Sequence, residues 1–156
     1  MKLKLLAPVA ALAFVVACES TPDQTGAATG AGQATGPRPG SQEDLVANIG
    51  DRVFFDFDRY TIRGDQRPTL ERQAAWLGQH GAVMVQIAGH ADERGTREYN
   101  LALGQRRADS ARDTLVALGV APARVSTISY GKDRPIALGS NEEAWAQNRV
   151  AITSVR

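Results

Sequence analysis

Gly89-His90-Ala91-Asp92-Glu93-Arg94-Gly95-Thr96-Arg97-Glu98-Tyr99-Asn100-Leu101-Ala102-Leu103-Gly104-Gln105-Arg106-Arg107-Ala108 is the stretch on which the fold turns. It runs from a strand end at His90, through a charged loop, into a helix whose spacing carries it from Thr96 to Leu118. Leu101, Gly104, Ala108, Ala111, Leu115 and Leu118 recur at three- and four-residue intervals and predict an apolar stripe. Arg106, Asp109, Arg112 and Asp113 fall largely off that stripe, where they can pair at i,i+3 spacing on a solvated face. Gly119 supplies the stop.

Upstream of this stretch, Val83, Val85 and Ile87 alternate with Met84 and Gln86, which predicts a strand. Before it, Leu70, Ala74 and Leu77 stand at helical spacing, with Asp65 as N-cap, Pro68 in the first turn and Gly78 to Gly81 as the end. Arg52 to Phe57 reads as the first strand, rich in β-branched and aromatic residues. Downstream, Val125 to Tyr130 and Val150 to Val155 read as strands. Between them Asn141 caps a short helix that carries Glu142 and Glu143 in its first turn, favourable against the helix dipole. Strands alternating with helices predict an α/β domain, a two-layer sandwich with a mixed four-stranded sheet.

The chain has 156 residues, 43% of them hydrophobic, which suits one core of ordinary size. Eighteen basic residues face seventeen acidic ones, so the basic excess of a nucleic-acid binder is missing and no nucleic-acid partner is predicted. Two histidines and one cysteine leave no ligand set for a structural zinc and no intramolecular disulfide. His90 stands beside Asp92 and Glu93 without a second histidine nearby, and reads as a packing residue near a site. Asp56 and Asp58 would share one side of a strand, as a hydrolase dyad would, but nothing adjacent supplies the environment that tunes such a pair. Trp76 and Trp145 read as core or surface-patch aromatics. No catalytic residue, metal or cofactor is predicted.

The N-terminus reads as an address. Lys2 and Lys4 precede an apolar run from Leu5 to Ala17, about 13 residues against the roughly 20 of a membrane span. Val15-Val16-Ala17-Cys18 resembles the lipobox of bacterial lipoproteins, which implies cleavage after residue 17 and acylation of Cys18. Residues 18–41 form the lipidated cysteine and a tether without a single Leu, Ile, Val or aromatic, too polar to offset its ordering entropy. As a flexible coil the tract beyond Cys18 would span roughly 25–30 Å, and stretched on the order of 70 Å. Glu19 is not the aspartate of inner-membrane retention, so the expected address is the periplasmic face of the outer membrane, with the acyl chains of Cys18 in that membrane. Residues 42–156 form the folded domain.

The opening stretch resembles the signature of the OmpA-like peptidoglycan-binding domains. Phe57-Asp58-Arg59-Tyr60, Ser129-Tyr130-Gly131-Lys132 with Pro135, and Asn148-Arg149 agree with the lipid-anchored members of that family, and the likeness runs from about residue 50 to the end. Asp56 departs from it, standing where the family often has glycine, whose backbone freedom an aspartate lacks. The resemblance implies helices on one face of the sheet and a non-enzymatic role. The implied ligand is the meso-diaminopimelate residue of peptidoglycan stem peptides, whose side-chain end carries both an ammonium and a carboxylate. On this pattern Asp92 accepts from the ammonium and the Arg107 fork holds the carboxylate. Asn100, Leu103 and Arg107, at i, i+3 and i+7, share one helix face. The loop at Phe57 and Asp58 offers backbone N–H groups, and Thr96 and Leu103 help line the pocket. From the residues alone, Asp92 would sooner cap the helix start, and Arg107 would sooner join a salt-bridge lattice on a solvated face; the length of the motif reverses that preference. TolB and other Tol proteins are the implied protein partners, in envelope constriction. The rival readings are an OmpA-like lipoprotein without Tol contacts, a lipoprotein wall hydrolase and a purely structural lipoprotein.

Overall fold

A mixed sheet is built from β1 (Arg52–Phe54), β2 (Val85–His90), β3 (Val125–Gly131) and β4 (Val150–Val155), in the spatial order β1-β4-β2-β3. This computed structural model describes residues 36–156; the expected signal segment, Cys18 and the tether as far as residue 35 lie outside the described residues. Four α-helices accompany the sheet: α1 (Gln42–Asp44), α2 (Arg67–Gln79), α3 (Arg97–Ala117) and α4 (Glu142–Asn148). β4 pairs antiparallel with both β1 and β2, whereas β2 and β3 run parallel. Parallel neighbours need a long crossover, and α3 supplies it.

Register puts Val53, Ala151, Gly89 and Ser129 in one row across all four strands. Strand side chains alternate between faces, so Val85, Ile87 and Thr153 point the same way as this row. That face lies under α2 and α3, and Leu70, Leu77, Ala108, Ala111 and Leu115 complete its core. The opposite face, with Gln86, Ala88, Ile128 and Ile152, is only half-buried. The architecture is therefore the two-layer α/β sandwich that the alternation of elements predicts.

The long helix sits very close to the sheet. A Cβ on Gly89 would lie 1.8 Å from the Gly104 carbonyl oxygen, and one on Gly104 would lie 2.4 Å from Ser129 Oγ. Two residues without side chains let backbone meet backbone here, and Ser129 Oγ donates to the Leu101 carbonyl at 2.6 Å. The inward face of the helix keeps the middle of the predicted stripe and departs from it at both ends. Gly104, Ala108, Ala111 and Leu115 are buried as expected, but Leu101 and Leu118 are 41% and 36% exposed. Asn100, Leu103 and Arg107 take the inward positions of the first turns instead.

Other expectations shift at their edges. β1 ends at Phe54 rather than Phe57, although Phe55 N–H still donates to the Arg149 carbonyl at 2.8 Å and its ring joins the core. Asp56 and Asp58 therefore lie in a loop, not along one strand, and the alternation that paired them as a dyad is gone. Asp56 meets Arg63 at 3.4 Å, and Asp58 accepts from the Tyr99 hydroxyl. The left-handed residue in this loop is Asp58, at φ 56°, and not Asp56, the position that departs from the family glycine. Gln66, not Asp65, occupies the N-cap of α2, because Asp65 is held by the Arg63 guanidinium at 2.8–3.0 Å. On the outer face of α3, Arg112 pairs with Asp109 at 3.2 Å and Asp113 at 2.9 Å, but Arg106 lies over the rings of Tyr60 and Tyr99.

One element has no counterpart in the sequence reading. Ser41 caps α1, which runs directly into a π-helical stretch, Leu45–Ile49. The Asp44 carboxylate there accepts from Gly40 N–H at 2.9 Å, Asn48 Nδ2 at 2.8 Å and Trp76 Nε1 at 2.8 Å. Those three donors hold its carboxyl at about 2, well below the usual aspartate value.

Candidate functional site

A cleft of about 200 Å³ opens where the loop after β1, the loop after β2 and the first half of α3 meet. It has room for one amino-acid head group rather than a drug-sized molecule. Phe57, Asp58, Asp92, Asn100, Leu103 and Arg107 line it, so six of the seven ligand-site residues named from the sequence come together. Thr96 is not in the lining; its hydroxyl accepts from Tyr99 N–H at 3.2 Å and caps α3. Asp92 therefore does not cap that helix. It closes a tight turn instead, its Oδ1 accepting from Arg94 N–H at 3.1 Å.

Arg107 is fully buried. Its guanidinium donates to three backbone carbonyls: Arg59 at 2.8 Å, His90 at 2.7 Å and Asp56 at 3.1 Å. The first and third belong to the loop after β1, and the second to the end of β2, so Arg107 clamps both cleft walls to α3. Burial pulls its pKa down to about 10, which leaves it charged at neutral pH. It belongs to no solvated salt-bridge lattice. His90 is buried beside it, Nδ1 against the Arg134 carbonyl at 2.9 Å, and burial lowers its pKa, in keeping with a packing role.

Asp92 is nearly buried, its side chain 5% exposed. Arg94 grips it with both arms, Nε to Oδ1 at 3.1 Å and Nη2 to Oδ2 at 2.7 Å. Arg149 Nη1 lies 3.6 Å from Oδ2. Burial alone would raise the Asp92 carboxyl, but the Arg94 hydrogen bonds and the charges of Arg94 and Arg149 outweigh it and hold it below the ordinary value. The Arg94 guanidinium also lies over two rings, 4.0 Å from the centre of Phe57 and 4.1 Å from that of Trp145.

The loop carrying these groups is tied down from outside. Lys132 Nζ donates to the carbonyls of Glu93 and Gly95 at 3.1 and 2.5 Å, and Asn100 Nδ2 donates to that of Arg94 at 2.8 Å. Trp145 Nε1 donates to Glu93 Oε1 at 3.0 Å. On the facing loop, no backbone carbonyl of the described residues takes the N–H of Phe57 or of Asp58.

The sequence reading missed Arg94, Gly95 and Tyr99 in the lining, and Arg149 behind it. Two signals were available. Arg94 stands two residues beyond Asp92, within reach of an aspartate turn, and Tyr99 stands four before Leu103, on the same helix face. Nothing local points from Arg149 to Asp92, which are brought together only by the pairing of β4 with β2.

The two-layer fold and this cleft define a class, and comparison with known proteins agrees with it: the OmpA family model matches residues 54–149. The chain belongs to the OmpA family. Within it, the chain is similar to proteins named peptidoglycan-associated lipoprotein. One from Mesorhizobium japonicum is 52% identical over 155 residues, covering 97% of this chain and 90% of the relative. Another, from Legionella pneumophila, is 40% identical and covers 95% and 90%. The crystal structure of the peptidoglycan-associated lipoprotein from Burkholderia pseudomallei superposes with a TM-score of 0.68 at 41% identity, covering 72% of this chain and all of that one. The C-terminal domain of Helicobacter pylori MotB gives a TM-score of 0.62 at 25% identity, covering 68% and 84%.

Proposed function

We propose that the cleft binds the side-chain end of meso-diaminopimelate in peptidoglycan stem peptides, and that the chain is a lipoprotein linking the outer membrane to the wall without catalysis. The observation that carries this reading is the meeting of both charge signs in one small cleft, Asp92 against Arg94 and Arg107. A ligand with one ammonium and one carboxylate at fixed separation matches that arrangement. Its ammonium would go to Asp92. Its carboxylate would meet the field of the two arginines and the N–H groups of Phe57 and Asp58, while Leu103 packs its methylenes. The names of the relatives support the same reading.

The rest of the assembly follows the sequence. Cleavage after residue 17 exposes Cys18 for acylation, the tract that follows tethers, and the folded domain binds; Gly40 and Ser41 already belong to that domain rather than to the expected tether of residues 18–41. Burial of acyl methylenes gains about 0.8 kcal/mol each, so several chains hold the protein at the membrane. A cleft this shallow binds one stem modestly, and firm attachment comes from many anchored copies sharing one polymer. TolB and the other Tol proteins are proposed as protein partners, tested by co-purification.

Titrating the full chain in detergent micelles with a diaminopimelate stem peptide, beside the same peptide bearing lysine, tests the site. Binding of the first that Asp92→Asn abolishes, with the fold intact by circular dichroism, supports it. A folded wild-type chain that ignores the diaminopimelate peptide overturns it.

A further inference from the structure

Asp92 is already occupied by a cation of its own chain. Both its oxygens are taken by the Arg94 fork, and its side chain is 5% exposed, so an incoming ammonium cannot simply add to it. Arg94 differs from the other arginines of the site in being able to leave. Its side chain is 31% exposed, whereas that of Arg149 is 9% exposed and Arg107 is fully buried. Away from Asp92 it keeps other contacts, the Phe57 and Trp145 rings at 4.0 and 4.1 Å. Glu142 is also near, its Oε2 3.9 Å from Arg94 Nη1. That carboxylate is a poor substitute for Asp92, because it is 66% exposed and its other oxygen is held by Arg149 at 2.7 Å.

Charge makes the point sharper. Arg94, Arg107 and Arg149 all face Asp92, and Arg149 Nη1 is a buried donor with no hydrogen-bond partner among the described residues. Beyond Asp92, the neighbouring carboxylates are Asp58, Glu93 and Glu142, all exposed. A cation arriving alone at this buried carboxylate would have to displace Arg94 without offering the guanidinium a new partner. A ligand that brings an ammonium and a carboxylate adds no net charge and re-pairs the guanidinium it displaces.

We infer that Arg94 is a specificity-determining residue, a resident counter-cation that bars simple ammonium ligands from Asp92 and yields only to a ligand whose own carboxylate receives the freed guanidinium. This rests on the diaminopimelate reading of the cleft and deepens it, since it states why lysine, which has the ammonium but lacks the second carboxylate, is refused.

The test is a gain of binding, which damage to the loop would not produce. The full chain in micelles is titrated with the diaminopimelate and lysine stem peptides, as wild type, Arg94→Gln and Arg94→Lys, with circular dichroism on each. Arg94→Gln is expected to bind the lysine peptide about five- to tenfold more tightly than wild type and to narrow the preference for diaminopimelate. Arg94→Lys keeps the charge without the two-armed grip and is expected to gain less, which also covers the case of a poorly folded glutamine variant. If folded variants bind the lysine peptide no better than wild type, or weaken both peptides equally, Arg94 is not the discriminator even where wild type binds diaminopimelate. If wild type binds neither peptide, the reading of the cleft falls and this inference with it.

Discussion

Replacing Arg107 by methionine should cost the fold far more than a binding residue normally does. The side chain would keep its length in the core but abandon the carbonyls of Arg59, His90 and Asp56. Charged hydrogen bonds contribute about 1.5–3 kcal/mol each, so three sum to several. Against that stands relief from burying a charge, the same burial that pulls the guanidinium down to about 10. Breaking a buried ionic network by removing one member costs about 3–5 kcal/mol overall, and a net loss near 4 is reasonable. With a urea slope of about 1.5–2 kcal/mol per molar, the unfolding midpoint should fall by about 2–2.7 M. Fluorescence of Trp76 and Trp145 reports the transition, with Trp145 against the cleft loop itself. A midpoint lowered by less than about 0.5 M, under ~1 kcal/mol, would refute the clamp and return Arg107 to the role of a free carboxylate fork. If the clamp holds, lost ligand binding in any Arg107 variant reports a collapsed cleft as much as a lost contact. Asp92→Asn is then the cleaner probe of the ligand.

Two further outcomes follow from packing and charge. Gly89→Ala drives a Cβ to 1.8 Å from the Gly104 carbonyl oxygen, backbone that cannot step aside, whereas Gly104→Ala meets the Ser129 hydroxyl at 2.4 Å and backbone, the Gly89 carbonyl oxygen, only at 2.8 Å. Gly89→Ala should therefore lose at least about 2–3 kcal/mol and more than Gly104→Ala, as urea midpoints can check; the reverse order would refute the close approach of α3 to β2. Asp44 has its carboxyl depressed from 3.8 to about 2 by Trp76, Asn48 and Gly40. A depressed carboxyl stabilises above its unfolded value and loses that contribution as pH falls from about 4 towards 2. The gap in urea midpoint between wild type and Asp44→Asn should thus shrink across that window, and a gap independent of pH would contradict it.

The fold was legible because its elements announce themselves by apolar period, and the sheet takes its strands from Val53, Val85, Ile87, Val125 and Val150. What period reading cannot do is assign a charged residue to the inside. It drew the stripe of α3 through Leu101 and Leu118, the apolar candidates, when the inward positions of the first turns belong to Asn100 and Arg107. The same bias ran β1 on to Phe57, since two more phenylalanines look like strand. The chain leaves the sheet instead, with the Asp56 and Arg59 carbonyls turned to Arg107. Family likeness named Asp92 and Arg107, which line one cleft, but could not say that each is already committed to partners in its own chain. Arg124 shows the limit at a distance: it donates to the carbonyls of Leu77, His80 and Val83, at 2.8–3.0 Å, and so closes the end of α2 from the far side of α3.

Three arginines around one carboxylate are an expensive way to build a small cleft, and their graded burial gives the reason. Arg107 and Arg149 are fixed by backbone carbonyls, the latter donating to Phe55 at 3.1 Å, so they set the positions of the loops whatever occupies the site. Arg94 is held chiefly by Asp92 itself and by two aromatic faces, interactions that survive sliding better than they survive loss of charge balance. A cleft with only fixed cations would accept any ammonium that fitted Asp92. One with only mobile cations would have no shape when empty. The combination holds the loops in place and, on the reading proposed above, makes exchange with an ammonium–carboxylate pair the route by which the cleft takes its ligand.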